Sequence, residues 1–435
     1  MRVLLINQVY APDVAATAQH AEDLSRHLVD KGHEVHVITS RSLYGKAGAS
    51  LPKQETLDGV RVHRVGQSFF GKGSILARVA DFGLFYLLAV LKAFAVPRAD
   101  VVVPFTTPPF IVLAGWFLRL TRGSKLVYWV MDLYPDLPIA CGVMGERSLP
   151  ARFFEGLHRF ALKKADRVVV LGRCMRDRVL SKGVPAERVT HIGVWSPNDI
   201  DPGEDAMASS ETPYRKSWGL GDRFTVMYSG NFGLGHDVET MCEAARTLSD
   251  DPAWRDRVRF LFVGGGKKKT RVEAFVREHG LSNCVLDAYQ PREKLEQSLA
   301  AGDLHLASLT EGIEGIMVPC KLFGIMGAGR PCAFIGHPTS ELARVLAEND
   351  AGFNVRQGDA AGLVEIVKTL ADDWERAMTL GRNARRALAS AYDRSAACEA
   401  WRAVLEAVAV SGNSRSADIL SKPGSAAGGT PHEAG

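Results

Sequence analysis

Short apolar runs, each followed by a loop marked by glycine or proline and then by a helical pattern, recur through most of this 435-residue chain. That order leaves few folds open. Residues 2–7 (RVLLIN) are almost continuously apolar, as a strand buried on both faces must be. A loop over 8–16 follows. Thr17 is the expected N-cap of a helix running to Lys31, with Ala21, Leu24 and Leu28 on its inner face and Gly32 closing it. Residues 33–39 read as the next strand. A β-loop-α-β unit of this kind closes through a right-handed crossover, so a doubly wound parallel sheet is predicted. Strands at 60–65, 100–104, 125–131 and 167–171 and helices at 108–121, 149–165 and 174–182 continue the first unit. Residues 197–222, rich in Pro and Gly, read as a connection. A second unit has strands at 224–229, 259–263, 284–287, 303–307, 331–335 and 352–355. The fold class predicted is therefore α/β: two doubly wound, Rossmann-like domains, 1–196 and 223–393, facing across a cleft. A helix over 394–410 and a disordered Ser/Gly/Pro-rich tail over 411–435 complete the chain.

Charge separates the halves. Residues 1–200 carry a net +9 and residues 201–435 a net −5, so an anionic partner belongs to the front half. Nucleic acid and an anionic membrane surface both fit that sign, and the membrane is favoured by the segment 69–98. There Phe82–Leu91 is nearly all apolar, and Lys72, Arg78, Lys92 and Arg98 flank it. The uncharged run is too short to span a bilayer, which leaves an interfacial anchor or a fully buried helix. Seven cysteines, an odd number without a C-x-x-C pair, argue for a reducing compartment and against a disulfide framework or structural zinc.

The loops at strand ends hold the candidate chemistry. Val318-Pro319-Cys320-Lys321-Leu322-Phe323-Gly324 reads as a helix start with Pro319 at the first helical position, and Gly329 past the end. Lys321 in its first turn gains nothing from the helix dipole. A lysine beside free backbone N–H groups suits a phosphate or diphosphate. Gly230, Gly233 and Gly235 in Gly230-Asn231-Phe232-Gly233-Leu234-Gly235-His236 let backbone approach a ligand closely. Asp132 and Asp136 end the 125–131 strand, Glu311 and Glu314 the 303–307 strand, and Tyr289 stands in a further strand-end loop. Asp199-Ile200-Asp201 has the form of a metal-diphosphate pair, but no buried strand precedes it, and it is taken as chance.

With these motifs in order, the chain resembles the family 4 retaining glycosyltransferases of the GT-B fold, in the branch assembling bacterial surface polysaccharides such as colanic acid, capsule and O-antigen. Tyr10-Ala11-Pro12 with Ala15-Ala16-Thr17, Tyr228-Ser229-Gly230-Asn231-Phe232-Gly233 and Val318-Pro319-Cys320-Lys321 carry the likeness. The resemblance implies that the second domain holds a nucleotide-diphosphate sugar. Gly230, Asn231 and Gly233 would lie at the diphosphate, with Lys321, Pro319 and Leu322 at the helix start, and His236, where some relatives have Lys, is a further donor-binding candidate. Glu314 would bind sugar hydroxyls, Tyr289 would lie near the base, and Ala15, Ala16 and Thr17 would border the diphosphate. Asp132 stands where relatives place a polar catalytic residue. No cofactor and no metal are implied, nor a nucleic acid partner. The expected acceptor is a lipid-linked saccharide and the expected location cytoplasmic, on the inner membrane face. Relatives often carry a ribose-gripping glutamate where this chain has Gly324. Two other readings stay open: an epimerase on the same architecture, and a non-catalytic binding module.

Overall fold

The computed structural model describes residues 1–13, 15–43, 46–66, 75–196 and 212–420. The strands are β1 (Arg2–Ile6), β2 (Glu34–Ser40), β3 (Ser42–Leu43), β4 (Lys46–Ser50), β5 (Gln54–Leu57), β6 (Val60–Val65), β7 (Val101–Pro104), β8 (Lys125–Val130), β9 (Arg167–Val170), β10 (Val189–His191), β11 (Phe224–Asn231), β12 (Val258–Gly265), β13 (Cys284–Asp287), β14 (Leu304–Ser308), β15 (Cys332–Ile335) and β16 (Gly352–Val355).

They form two sheets. The first has the order β10-β9-β8-β7-β1-β2-β6-β5 and the second β13-β12-β11-β14-β15-β16. All pairs in the second are parallel; in the first only β5 runs antiparallel, against β6. Val3, Leu5 and Ile6 of β1 and Val127, Trp129 and Val130 of β8 are all fully buried, as their unbroken apolar runs require. The order reverses at β1/β7 in the first sheet and at β11/β14 in the second. A crevice opens outside the carboxyl ends of such reversed strands. Those ends carry the 8–17 loop in one lobe and the 230–236 and 309–317 loops in the other.

Several expectations need correction. Helix Ala16–Asp30 is capped by Ala15 without a side-chain bond, so Thr17 lies inside the first turn. Its entry is held instead by Asp13, whose Oδ1 accepts from Ala15 N at 3.0 Å. The hairpin β3-β4 and strands β5 and β10 were not expected: they are short, and β4 and β5 are polar or small, without an apolar run. β11 extends through Gly230 and Asn231, which therefore end a strand rather than occupy a loop. The last helix runs Arg394–Leu420, ten residues past the expected end at 410. It returns to the first lobe. Trp401 is fully buried with its ring 4.3 Å from that of Trp129, and Glu399 pairs with His27 at 3.1 Å. Asp199 and Asp201, Lys72 and residues 421–435 lie outside the described residues.

The apolar segment 69–98 resolves into helix Ile75–Ala95 with two faces. Phe85, Ala89 and Ala93, at i, i+4 and i+8, are buried against Leu4, Ile6 and Val102 of the sheet. Leu87 and Leu91 are 58% and 57% exposed on the other side. Among the described residues no helix is long and apolar enough to cross a membrane.

Candidate active site

The ends of β11 and β12 approach so closely that side chains are excluded. A Cβ on Gly264 (φ +128°) would stand 2.0 Å from the Gly230 carbonyl oxygen, and one on Gly266 (φ +130°) 2.4 Å from Asn231 Oδ1. Gly230 itself has φ +132°, and its missing Cβ would face Lys321 Cε and Nζ at 3.6 and 3.7 Å. The lysine and the glycine-lined strand end thus meet, as the motifs imply.

Lys321 is the first residue of helix Lys321–Gly327, with Cys320 as the cap. Pro319 therefore precedes the cap and is not the first helical residue. The expected closure holds: Gly329 has φ +64°, and its N–H donates to Met326 O at 3.0 Å. Lys321 Nζ donates to the Tyr228 hydroxyl at 2.5 Å and lies 3.9 Å from the ring centre. Burial lowers its pKa to about 7, because no carboxylate balances the charge. Such a cation gains most from an incoming anion. Leu322 points the other way: its side chain is fully buried in the core, so only its backbone can serve a ligand.

His236 closes the 230–236 loop. It is 5% exposed, and its Nδ1 bonds the Ser308 carbonyl at 2.6 Å. Burial, then the nearby Lys321 charge, lowers its pKa to about 3. It is neutral at physiological pH, with Nδ1 as the donor and Nε2 left as an acceptor. A group in that state accepts a hydroxyl proton and does not neutralise a phosphate. Lys268 reaches the same loop, donating to His236 O at 2.6 Å.

The 310–317 loop closes over this end of the sheet. Thr310 N donates to Gly235 O at 2.9 Å, and a Cβ on Gly235 would meet Met317 Sδ at 3.2 Å. Of its two acids, Glu311 is spent on a bidentate pair with Arg356 (2.6 and 2.8 Å), which holds its pKa down. Among the described residues the Glu314 carboxylate is bonded only within its own turn, to Gly312 N at 2.9 and 3.0 Å. Tyr289 is 58% exposed at the lip, its ring against Gly265 and its hydroxyl donating to Gly265 O at 3.2 Å.

Across the cleft, Asp132 forms an isolated antiparallel bridge with Met317, and Leu133 N donates to Ile316 O at 2.9 Å. The backbone of the first lobe thus joins the loop leading to Lys321. Burial raises Asp132 to about 6; its N–H donates to Thr106 Oγ1 at 3.2 Å. Ala15, Ala16 and Thr17, all partly exposed, stand at the carboxyl end of β1. Tyr228, Lys268 and Thr106 were not singled out from sequence. Tyr228 had a signal there as the first residue of the motif that ends in Gly233, and Lys268 stands in the run Gly264-Gly265-Gly266-Lys267-Lys268-Lys269-Thr270, which resembles a phosphate loop only superficially.

Two family models match in tandem: a glycosyl transferase 4-like domain over 16–195 and glycosyl transferases group 1 over 223–373. Together they span most of the chain. The chain belongs to the family 4 glycosyltransferases. Among curated members it is 25% identical to WcaI of Escherichia coli, named for colanic acid biosynthesis, over 79% of this chain and 86% of that one. Solved structures match across both lobes. Sucrose-phosphate synthase of Thermosynechococcus elongatus superposes at TM-score 0.69 with 17% identity, over 97% of this chain and 99% of that one. HepE of Anabaena, solved with UDP-glucose, superposes at 0.68 with 15% identity, over 94% and 100%. The GT-B architecture and glycosyltransferase activity follow.

The family 4 assignment leaves the metal question to the residues. Among the described residues, Asp136, Glu155 and His158 bring possible ligand atoms within 4.8 Å of one another. Lys182 Nζ lies 2.9 Å from Asp136 and 2.8 Å from Glu155, and Arg159 lies 2.6 Å from Glu155, so the two carboxylates already meet two cations. All seven cysteines are free.

Proposed function

We propose that this glycosyltransferase moves a sugar, with retention and without a metal, from a nucleoside diphosphate sugar to a lipid-linked saccharide in bacterial surface-polysaccharide assembly. The carrying observation is the Lys321 ammonium beside Gly230, a desolvated cation at a strand end from which side chains are excluded. As the C1–O bond to the diphosphate breaks, negative charge grows on the leaving oxygen, and Lys321 with the neighbouring amides offsets it. The acceptor hydroxyl forms the new C1–O bond on the same face, and its proton passes to the departing phosphate. Asp132 supports the positive charge developing on the sugar, and Glu314 is free to turn from Gly312 N to the sugar hydroxyls. Tyr289 offers a ring face to the base. The WcaI name favours polysaccharide assembly, and the ligand of HepE makes UDP-sugars the first donors to try.

A lipid acceptor is supported by the first lobe's outer surface. Leu87, Leu91 and Phe94 of helix Ile75–Ala95 are exposed beside Phe117 and Leu120 of helix Val112–Arg122. The Phe94 and Phe117 rings are 6.1 Å apart, and Arg122 lies over Phe94 at 5.6 Å. Leu149 and Phe153 of helix Leu149–Lys164 continue the apolar exposure at 80% and 66%. An apolar face with interleaved cations, in a half of net charge +9, fits the inner, anionic face of the cytoplasmic membrane.

The test is a thermal-stabilisation screen of nucleotide sugars, followed by product analysis with and without a saccharide acceptor. Transfer requiring acceptor supports the reading. Epimerised donor formed without acceptor, or binding without turnover, contradicts it.

A further inference from the structure

The loop 310–317 belongs to the second lobe in sequence, yet it is held largely by the first. Arg178, on helix Arg173–Ser181, donates from Nε to Glu314 O at 2.7 Å and from Nη2 to Gly312 O at 3.3 Å. The same helix supports the loop from below. Gly315, with φ +70°, sits on Cys174, and a Cβ there would come 2.5 Å from the Cys174 carbonyl oxygen. At the helix start Arg173 pairs with Glu341 and Glu348 of the second lobe at 3.0 and 2.6 Å. Leu133 and Asp132 complete the tether through Ile316 and Met317.

Arg178 is itself fixed. Its Nη1 lies 3.8 Å from Asp136 Oδ1, and Asp136 in turn meets Lys182, which meets Glu155. Asp136 follows Asp132 in the same strand-end segment. One connected set of charges therefore runs from the Asp132 segment through Arg178 to the backbone that carries Glu314.

We propose that Arg178 is a positioning residue for sugar transfer: it sets the curvature of the 312–314 backbone from the opposite lobe. Glu314 then addresses the donor sugar only while the lobes are together. This rests on the function proposed above. A planar guanidinium that donates to two carbonyls two residues apart fixes their relative direction, which a point charge cannot do. The nucleoside diphosphate, in contrast, would meet Lys321 and the 230–233 strand end, neither of which touches Arg178. Binding of the nucleotide and alignment of the sugar are thus carried by separate contacts.

The experiment compares wild type with Arg178→Met, Arg178→Lys and Gly315→Ala in the full chain. UDP affinity, donor KM, kcat and amide exchange over 311–317 are measured together. The expected result for Arg178→Met is a kcat lower by about tenfold to a hundredfold. UDP affinity stays within about twofold, and exchange over 311–317 is faster. Arg178→Lys should recover only part of kcat, and Gly315→Ala, which unseats the loop without removing the arginine, should copy the loss. Wild-type kcat and wild-type protection in Arg178→Met would overturn the proposal. So would a parallel fall of thermal midpoint, UDP affinity and kcat, which marks an ion pair that merely supports folding. Wild-type protein that binds no nucleotide contradicts the proposed function instead, while amide exchange still decides whether Arg178 holds the loop.

Discussion

Lys321 Nζ lies 2.5 Å from the hydroxyl of Tyr228 and 3.9 Å above that residue's ring, with no carboxylate bonded to it among the described residues. The ring face and hydroxyl oxygen keep the ammonium in place at the end of β11. They do not supply a full negative charge, which leaves the ammonium with an electrostatic preference for an anion.

The pH dependence follows from two groups shifted toward each other. In the proposed mechanism Lys321 is protonated to offset the leaving group, and burial lowers it to about 7. In the same mechanism Asp132 is ionised to support the sugar, and burial raises it to about 6. In free enzyme the competent pair exists between these values, so kcat/KM for the donor should be bell-shaped with its maximum near pH 6–7. A bound diphosphate favours the charged lysine, which moves the alkaline limb of kcat upward. Lys321→Arg should abolish the alkaline limb of kcat/KM, since an arginine stays charged. Initial-rate pH profiles of both proteins check this.

Gly264→Ala should damage the site through backbone strain. Its Cβ would stand 2.0 Å from Gly230 O at φ +128°. A loss of about 2–4 kcal/mol in urea unfolding is expected, with nucleotide affinity falling in parallel. Gly156→Ala is the contrast. That glycine lies in helix Leu149–Lys164 with nothing within 4 Å of a new Cβ, so a gain of about 0.5–1 kcal/mol is expected.

Membrane attachment should depend on the exposed side chains of the first lobe. Leu87, Leu91 and Leu120 are 58%, 57% and 59% exposed. Changing all three to Ser should remove most flotation with anionic vesicles, while unfolding free energy changes by no more than about 0.5 kcal/mol per site. Added salt should weaken the wild-type protein's flotation. Flotation of the triple variant at wild-type levels would remove this face from the account.

Much of the architecture was legible because buried parallel strands need unbroken apolar runs. β1, β8 and β15 were each read to within a residue. The short strands β5 and β10 were not, since sheet-edge pairing leaves little compositional trace. At the candidate site, the meeting of Gly230 with Lys321 was legible because both stand in loops or helix starts at strand carboxyl ends of one sheet. The core-facing side chain of Leu322 was not legible, because the helix begins two residues later than Pro319 suggests. The neutral, buried state of His236 was not legible, because sequence does not reveal the Ser308 carbonyl that fixes its ring. The hold of Arg178 on Glu314 spans 136 positions and joins a side chain to backbone, a contact without any local pattern.

The most direct measurement is UDP affinity and single-turnover sugar transfer in wild type against Lys321→Met, at pH 6.5 with an active donor. The account predicts UDP affinity weaker by about tenfold and transfer slower by about a hundredfold or more, with the fold intact. A Lys321→Met protein that binds UDP and transfers sugar at wild-type rates would contradict it.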